Sequence, residues 1–411
     1  MSSFAAERRA TYREVLAVRQ FRALFVAQLL SLVGDRAAAV ALGVLVYERS
    51  RSPLLAATVF GLTFLPHLFA APLSVLVDRM PRRRVLVLCD LARVPLVLLM
   101  LVPDAPLALL FVLLGLVTLC EVPFDAARTV VMRSVLDDDQ YPVGVALSSA
   151  VYEASLLIGS LGGGLLVAAL SVRGCLLFDV ATFVVSAVVV RLLVDEHAPV
   201  VEPDEQQSGL RQTLHFLLAP ATRRMLWLAL VVAGVATGAE GLSVTVAYSL
   251  GGGASLTGVL AAAIPAGTLL AGLLVPRLLT RTQQRRVALP LAGVTVGALA
   301  LCALPVGVPT LVGLWALIGA GCAVLVIANP VVMAAVPDAH RGRAFGICSS
   351  VLMAAQAVGI LAAGTLADHL SPTRALAVLG GLGAVALLPV ALRGLAAAEG
   401  AADARHEVVA G

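Results

Sequence analysis

Runs of about twenty apolar residues, each closed by a short cluster of Arg, Pro or Gly, recur along almost the whole chain. A helix crosses the hydrocarbon core of a bilayer in about 20 residues. Of the 411 residues, 60% are hydrophobic and only 13% charged, with a mean hydropathy of +0.98. A soluble domain is about 45–50% apolar and about 25% charged, and its surface grows too fast with mass to leave so little of it polar. These proportions exclude a soluble enzyme, a nucleic-acid-binding protein and a disordered scaffold. The chain reads as an all-α polytopic membrane protein, with the lipid bilayer as its solvent.

The runs predict twelve transmembrane segments, near 22–47, 54–77, 85–102, 106–127, 143–170, 172–193, 224–249, 255–278, 287–304, 309–333, 343–367 and 373–396. The one long polar stretch among them, Asp195 to Ala221, carries VDEHAPVVEPDEQQSG and the amphipathic RQTLHFLLAPATRR. It reads as a linker between two halves. The expected organisation is an N-terminal segment (1–21), a six-helix bundle (22–194), the linker (195–222), a second six-helix bundle (223–396) and a tail (397–411). The halves repeat: each has an Arg-rich loop after its second segment and a Gly- and Ala-rich fifth one, GSLGGGLLVAAL (159–170) and VGILAAGTLAD (358–368). Small residues there let helix backbones approach closely. Two pseudo-symmetric bundles suit a substrate site at the midplane between halves that rock.

All 29 cationic residues are Arg. With both termini on one side, that side collects nearly all of them. Only Arg49, Arg51, Arg173 and Arg374 fall on the other side, and Arg36 and Arg93 lie inside helices. The positive-inside rule then puts both termini in the cytoplasm. Arginines at helix ends form no nucleic-acid-binding face. The N-terminus, polar and Arg-rich to Arg19, lacks the apolar core of a cleavable signal. Six isolated cysteines and few histidines make neither a disulfide framework nor a metal site, and no cofactor is expected.

Charges inside the membrane are the sharpest signal, because each costs about 2.5–3.5 kcal/mol at a helix centre on insertion scales. Asp35 and Arg36 lie midway along segment 1, Glu121 in segment 4, Glu153 in segment 5, Asp179 in segment 6 and Glu240 in segment 7. They must face the bundle interior or an aqueous cavity. Asp35, Arg36, Glu121, Glu153 and Glu240 are the candidates for a proton relay and substrate cavity; the competing reading is buried structural ion pairs, such as Asp35 with an arginine of another helix. Asp90 with Arg93, and Asp125 with Arg128, stand at i,i+3 and read as structural pairs. Asp179, near the outer end of its segment, reads as a structural capping group. Asn329 beside Pro330, and Pro265, mark expected bends.

The loop after segment 2 reads SVLVDRMPRRR (74–84). Asp78 there can cap a helix or bind arginine across the half-interface, latching one side shut. The loop resembles the motif Gly-x-x-x-Asp-Arg-x-Gly-x-Arg-Arg of the major facilitator superfamily. Asp78, Arg79, Arg83 and Arg84 match it, while Ser74 and Pro81 replace its glycines. The stretches 21–48, 65–94 and 175–190 are similar to the drug-efflux branch that includes macrolide and enterobactin exporters. FDAAR (124–128) has Ala126 where that branch has proline, and Ser160 replaces a proline of the fifth helix. The second-half loop, PRLLTRTQQRR (276–286), keeps arginines without the acidic residue. The resemblance implies a monomeric, proton-driven antiporter of the bacterial plasma membrane, with Asp78, Arg79, Arg83 and Arg84 as a cytoplasmic gate.

The expected function is therefore export of small amphipathic compounds, drugs or secondary metabolites, in exchange for protons; siderophore or natural-product self-resistance is the variant reading. A membrane enzyme or sensor on this scaffold is the alternative from another class. It has no HExxH, GxSxG or clustered ligand motif to support it, and no GKS/GKT loop marks an ATP-driven pump.

Overall fold

The computed structural model describes residues 10–64, 80–196 and 209–410, and every described element is a helix. Away from water, backbone N–H and C=O groups must pair within their own segment, which an α-helix does. Helices occupy all twelve expected segments. Eight stretches are long and apolar enough to cross a bilayer. One of them, Tyr141–Leu193, is two segments joined at Ser171, whose φ of 72° and ψ of 173° break the helix. The remaining three are Pro53–Leu62, the described part of segment 2, and the Arg-headed helices Arg82–Met100 and Arg281–Leu301.

Segment 1 is the helix Arg19–Ser50, 32 residues long, or about 48 Å at 1.5 Å per residue. It ends at Arg51 in the left-handed region (φ 56°), whose N–H bonds Tyr47 O at 2.8 Å. Segment 4 is two helices, Leu107–Leu119 and Glu121–Val135, meeting at Cys120; segment 10 is likewise Val308–Gly321 and Ala323–Ala334, meeting at Cys322. The interruption in segment 10 thus falls two turns before Asn329 and Pro330, which lie within continuous helix. Pro265 also sits inside an unbroken helix, Gly253–Leu278. Segment 7 breaks at Leu242, between Pro220–Gly241 and Ser243–Ser249. The amphipathic stretch before it forms the helix Leu210–Leu217, where Thr213 bonds His340 at 3.1 Å.

Burial follows the membrane. Leu165, Leu278 and Leu392 are among many large apolar side chains left exposed on the outside of the bundle, where lipid replaces water. One buried cluster, around Trp315 and Leu299, draws only on residues 217–390, and two others draw only on residues 23–194. A fourth mixes Val40, Val44 and Phe60 with Val244, Ala261 and Ile360. That mixed cluster lies toward the face opposite the one where segment 1 begins.

Candidate functional site

Segment 5 brings the site together through its glycines. A Cβ at Gly163 would stand 2.8 Å from Ala37 Cα, and one at Gly159 2.7 Å from Arg36 Cβ. Segment 5 therefore lies directly on segment 1 beside Asp35 and Arg36. On its other side Gly164 meets segment 8: its Cβ would stand 2.7 Å from both Gly258 Cα and Ala254 O. Segments 1, 5, 7 and 8 thus converge on a cavity of about 400 Å³, within the range of sites for drug-sized molecules.

Asp35, Arg36, Glu121, Glu153 and Glu240 all line this cavity. Arg36 and Glu240 form an ion pair that bridges segments 1 and 7. The Arg36 Nε also donates to Ser160 Oγ at 3.0 Å, and its guanidinium stacks 5.3 Å from the Phe60 ring centroid. Asp35 accepts from Ser31 Oγ at 3.4 Å and faces Arg93 Nη1 at 3.5 Å. Glu121 and Glu153 face the cavity without a hydrogen bond or ion pair among the described residues.

Behind the cavity wall lies a charge network buried in the first half. Arg93, 1% exposed, reaches Asp90 Oδ1 at 3.9 Å and donates to Ser31 Oγ at 3.0 Å. Its guanidinium carbon lies between Phe124 and Phe183, at 5.7 and 5.2 Å from their centroids. Asp90, fully buried, accepts from Ser186 Oγ at 2.6 Å. The Asp90–Arg93 pair is therefore one edge of a network that also holds Asp35. Nearer the terminal face, Arg128 binds Asp125 at 3.2 Å and Gln28 at 3.0 Å.

Asp179 departs from its expected capping role. It lines the cavity, is 1% exposed, and its Oδ1 has no hydrogen-bond partner. The reason is the crossing of segments 1 and 6 at Gly34, where any side chain would collide with Asp179 and Thr182. Asp179 also lies about 12 Å along its helix from the Ser171 turn, at 1.5 Å per residue. That depth is close to mid-membrane. A lone acid in an apolar run must face inward, but the sequence does not say that it reaches the cavity.

Asp78 and Arg79 lie outside the described residues. Arg83 and Arg84 both bind Glu196, at 3.2 and 2.8 Å, so they tie their loop to the end of the same half. Among the described residues, polar contacts between the halves are found at the opposite face. Tyr248 donates to Glu48 Oε1 at 2.6 Å, its ring edge-on to Tyr47. Asp368 accepts from Ser52 Oγ and from the Leu54 N–H, each at 3.2 Å. The Leu54 bond occupies one of the orphan N–H groups in the first turn of the Pro53–Leu62 helix. The sequence carries no signal for Glu48, Tyr248 or Asp368, since each stands at a segment end, where polar residues are ordinary.

Comparison with known proteins agrees with this architecture. Among solved structures, a POT family transporter in complex with 5-aminolevulinic acid superposes with a TM-score of 0.73 at 13% identity, over 91% of this chain and 96% of that one. The nucleoside transporter NupG gives 0.70 at 13% identity, over 90% and 98%. A bacterial homolog of the human lysosomal transporter Spinster, inward-facing and occupied, gives 0.68 at 16% identity, over 90% and 92%. At such identities the likeness is one of fold. No curated protein sequence matches the chain significantly. The family model of the Major Facilitator Superfamily matches residues 24–246 and 240–408, and the chain accordingly belongs to that superfamily of membrane transporters.

Proposed function

We propose that the protein is a proton-coupled antiporter that exports small amphipathic compounds from the bacterial cytoplasm by alternating access, with both termini cytoplasmic. The observation that carries this reading is the Arg36–Glu240 pair, which joins the two halves across a cavity that also holds carboxyl groups without arginine partners. A carboxyl in low dielectric is stable when protonated or counter-charged. Exposing it in turn to each side therefore couples proton entry to the state of the cavity. Rocking the halves (22–194 and 223–396) must separate Arg36 from Glu240, and a proton on Glu240 removes the attraction that resists separation. The pins at Glu48, Tyr248 and Asp368 favour an arrangement closed on the far side and accessible from the cytoplasm. Export as the direction rests on the resemblance of 21–48, 65–94 and 175–190 to the efflux branch.

Inside-out vesicles carrying a dye for the proton gradient test it. Macrolides, phenicols, lipophilic cations and siderophores are added in turn to wild type, Asp35→Asn and Glu240→Gln. The expected result is gradient dissipation by at least one class in wild type, lost in a carboxamide variant present at equal level. Dissipation that is equal in all three proteins overturns the assignment of the coupling residues. No dissipation by any class overturns proton antiport of such compounds.

A further inference from the structure

Each half is preceded by a short helix that is not a transmembrane segment: Tyr12–Ala17 before segment 1 and Leu210–Leu217 before segment 7. At the 202 positions that separate Cys120 from Cys322, Val15 falls on Leu217, both buried, and Tyr12 falls on Leu214, both exposed. The repeat thus extends to a surface helix that keeps the same face inward in both halves.

The second of these helices has a distinctive outer face. Thr213 and Leu217, one turn apart, are buried, with Thr213 bonded to His340 at 3.1 Å and the Phe216 ring 5.6 Å from the His340 ring. Arg211, Leu214 and Leu218 follow one another at spacings of three and four, so they share a second face, and all three are exposed. The helix lies level with the membrane entry of segments 7 and 11, because segment 7 follows it directly at Pro220 and His340 stands in the first turn of segment 11. Arg223 and Arg224 belong to the first turns of segment 7. Trp227, one turn deeper, is exposed and donates its Nε1–H to Ala386 O at 2.7 Å. An outward-facing Trp at such a depth marks the boundary between hydrocarbon and headgroups.

Charge selects the occupant of this face. No Asp or Glu occurs from 206 to 239, and Arg211, Arg223 and Arg224 make no hydrogen bond or ion pair among the described residues. Exposed leucines beside unpaired arginines fit a surface that is apolar below and anionic above, which is the headgroup layer of an acidic bilayer. We infer that the helix Leu210–Leu217 lies in the headgroup layer on the side of the termini and, with Arg211, Arg223 and Arg224, forms a binding site for an anionic phospholipid. The same lipid steadies the entry of segment 11, because Thr213 and Phe216 join the helix to His340. The site stands apart from the central cavity and depends on neither export nor proton coupling.

Native mass spectrometry of the purified full chain in detergent tests it, with dioleoylphosphatidylglycerol titrated against dioleoylphosphatidylcholine. The expected result is that the first phosphatidylglycerol binds at least about tenfold tighter than phosphatidylcholine. Arg211→Gln with Arg223→Gln and Arg224→Gln should remove most of that preference. Arg277→Gln with Arg285→Gln and Arg286→Gln, three equally exposed arginines of another loop, should leave most of it. In nanodiscs of wild type, the amides of 210–218 should exchange at least about threefold more slowly in phosphatidylglycerol than in phosphatidylcholine; this arm needs no variant to fold. The inference is overturned if the two lipids bind alike, if both triple variants lose the preference equally, or if exchange is the same in the two nanodiscs. A dimer that forms in wild type and is lost in the first triple variant would assign the face to a second copy of the chain and overturn it as well.

Discussion

Segments 4 and 10 break at matching places, Cys120 and Cys322, yet continue differently: Glu121, Asp125 and Arg128 follow in one, Ala323, Ile327 and Pro330 in the other. The contrast extends through both halves. At the 202 positions that separate Cys120 from Cys322, Asp35 falls on Thr237, Asp90 on Ala292 and Arg93 on Thr295, and at the 200 that separate Gly164 from Gly364, Glu153 falls on Met353. The backbone correspondence is preserved where the halves meet. Gly164 of segment 5 packs on Gly258 of segment 8, and Gly364 of segment 11 packs on Leu54 and Ala57 of segment 2, where a Cβ would stand 2.9 and 3.0 Å away. Repetition of the helices therefore fixes the scaffold and its crossings, while the chemistry is concentrated in one half. Around Arg93, Ser31 accepts from the guanidinium and donates to Asp35, Ser186 donates to Asp90, and the rings of Phe124 and Phe183 face the cation. The second half holds one charge at the cavity, Glu240, and its partner lies across the interface.

The strongest way to break this comparison is to remove Arg93. Arg93→Met leaves Asp90 buried without its cation and should destabilise the protein by about 3–5 kcal/mol. Thr295→Val at the corresponding site loses one hydrogen bond, to Ile318 O, or about 1 kcal/mol. Thermal unfolding of the two variants in detergent reads the difference, and equal losses would show that the asymmetry is not energetic. Next in size is overpacking at the crossing of the halves. Gly164→Val should cost about 1–3 kcal/mol where segments 5 and 8 touch, whereas Gly162→Val, with open space around it, should be neutral. Cysteine labelling at the face opposite the termini would rise in the first variant alone.

The pins at that face give smaller effects, because they are exposed. Asp368→Ala removes an acceptor from Ser52 and Leu54 and should favour opening there by about 1 kcal/mol, roughly a fivefold rise in the open population. Tyr248→Phe, which loses the bond to Glu48, should shift it by at most about as much. Distance distributions between spin labels on segments 2 and 11 would measure both. Unchanged distributions would mean that the Gly164–Gly258 crossing closes this face without help.

Much of the fold is legible in the order of the residues. The apolar runs demand helices, and the Ser171 break falls where the fifth and sixth runs divide, just after Leu170. The acids of the cavity stand out because charge is rare in such runs. Their partners do not. Arg36 and Glu240 are 204 positions apart in chain numbering, and nothing local to Arg93 distinguishes Asp90, one turn away, from Asp35 on another helix. Gly321 precedes Cys322 and Pro123 follows Cys120, so the two matching helix breaks share no common local signature.

Hydration and backbone pairing act on each apolar run independently. The residue order alone therefore places this chain in a membrane, sets how many helices cross it and marks which charges must be hidden. Which arginine neutralises which acid, the entry of Asp179 into the cavity and the face that is pinned shut follow from the packed fold and from nothing shorter in range. Those outcomes depend on where helices cross. Crossings are set by small residues such as Gly34, Gly159 and Gly164, whose meaning appears only when the opposing helix is in place.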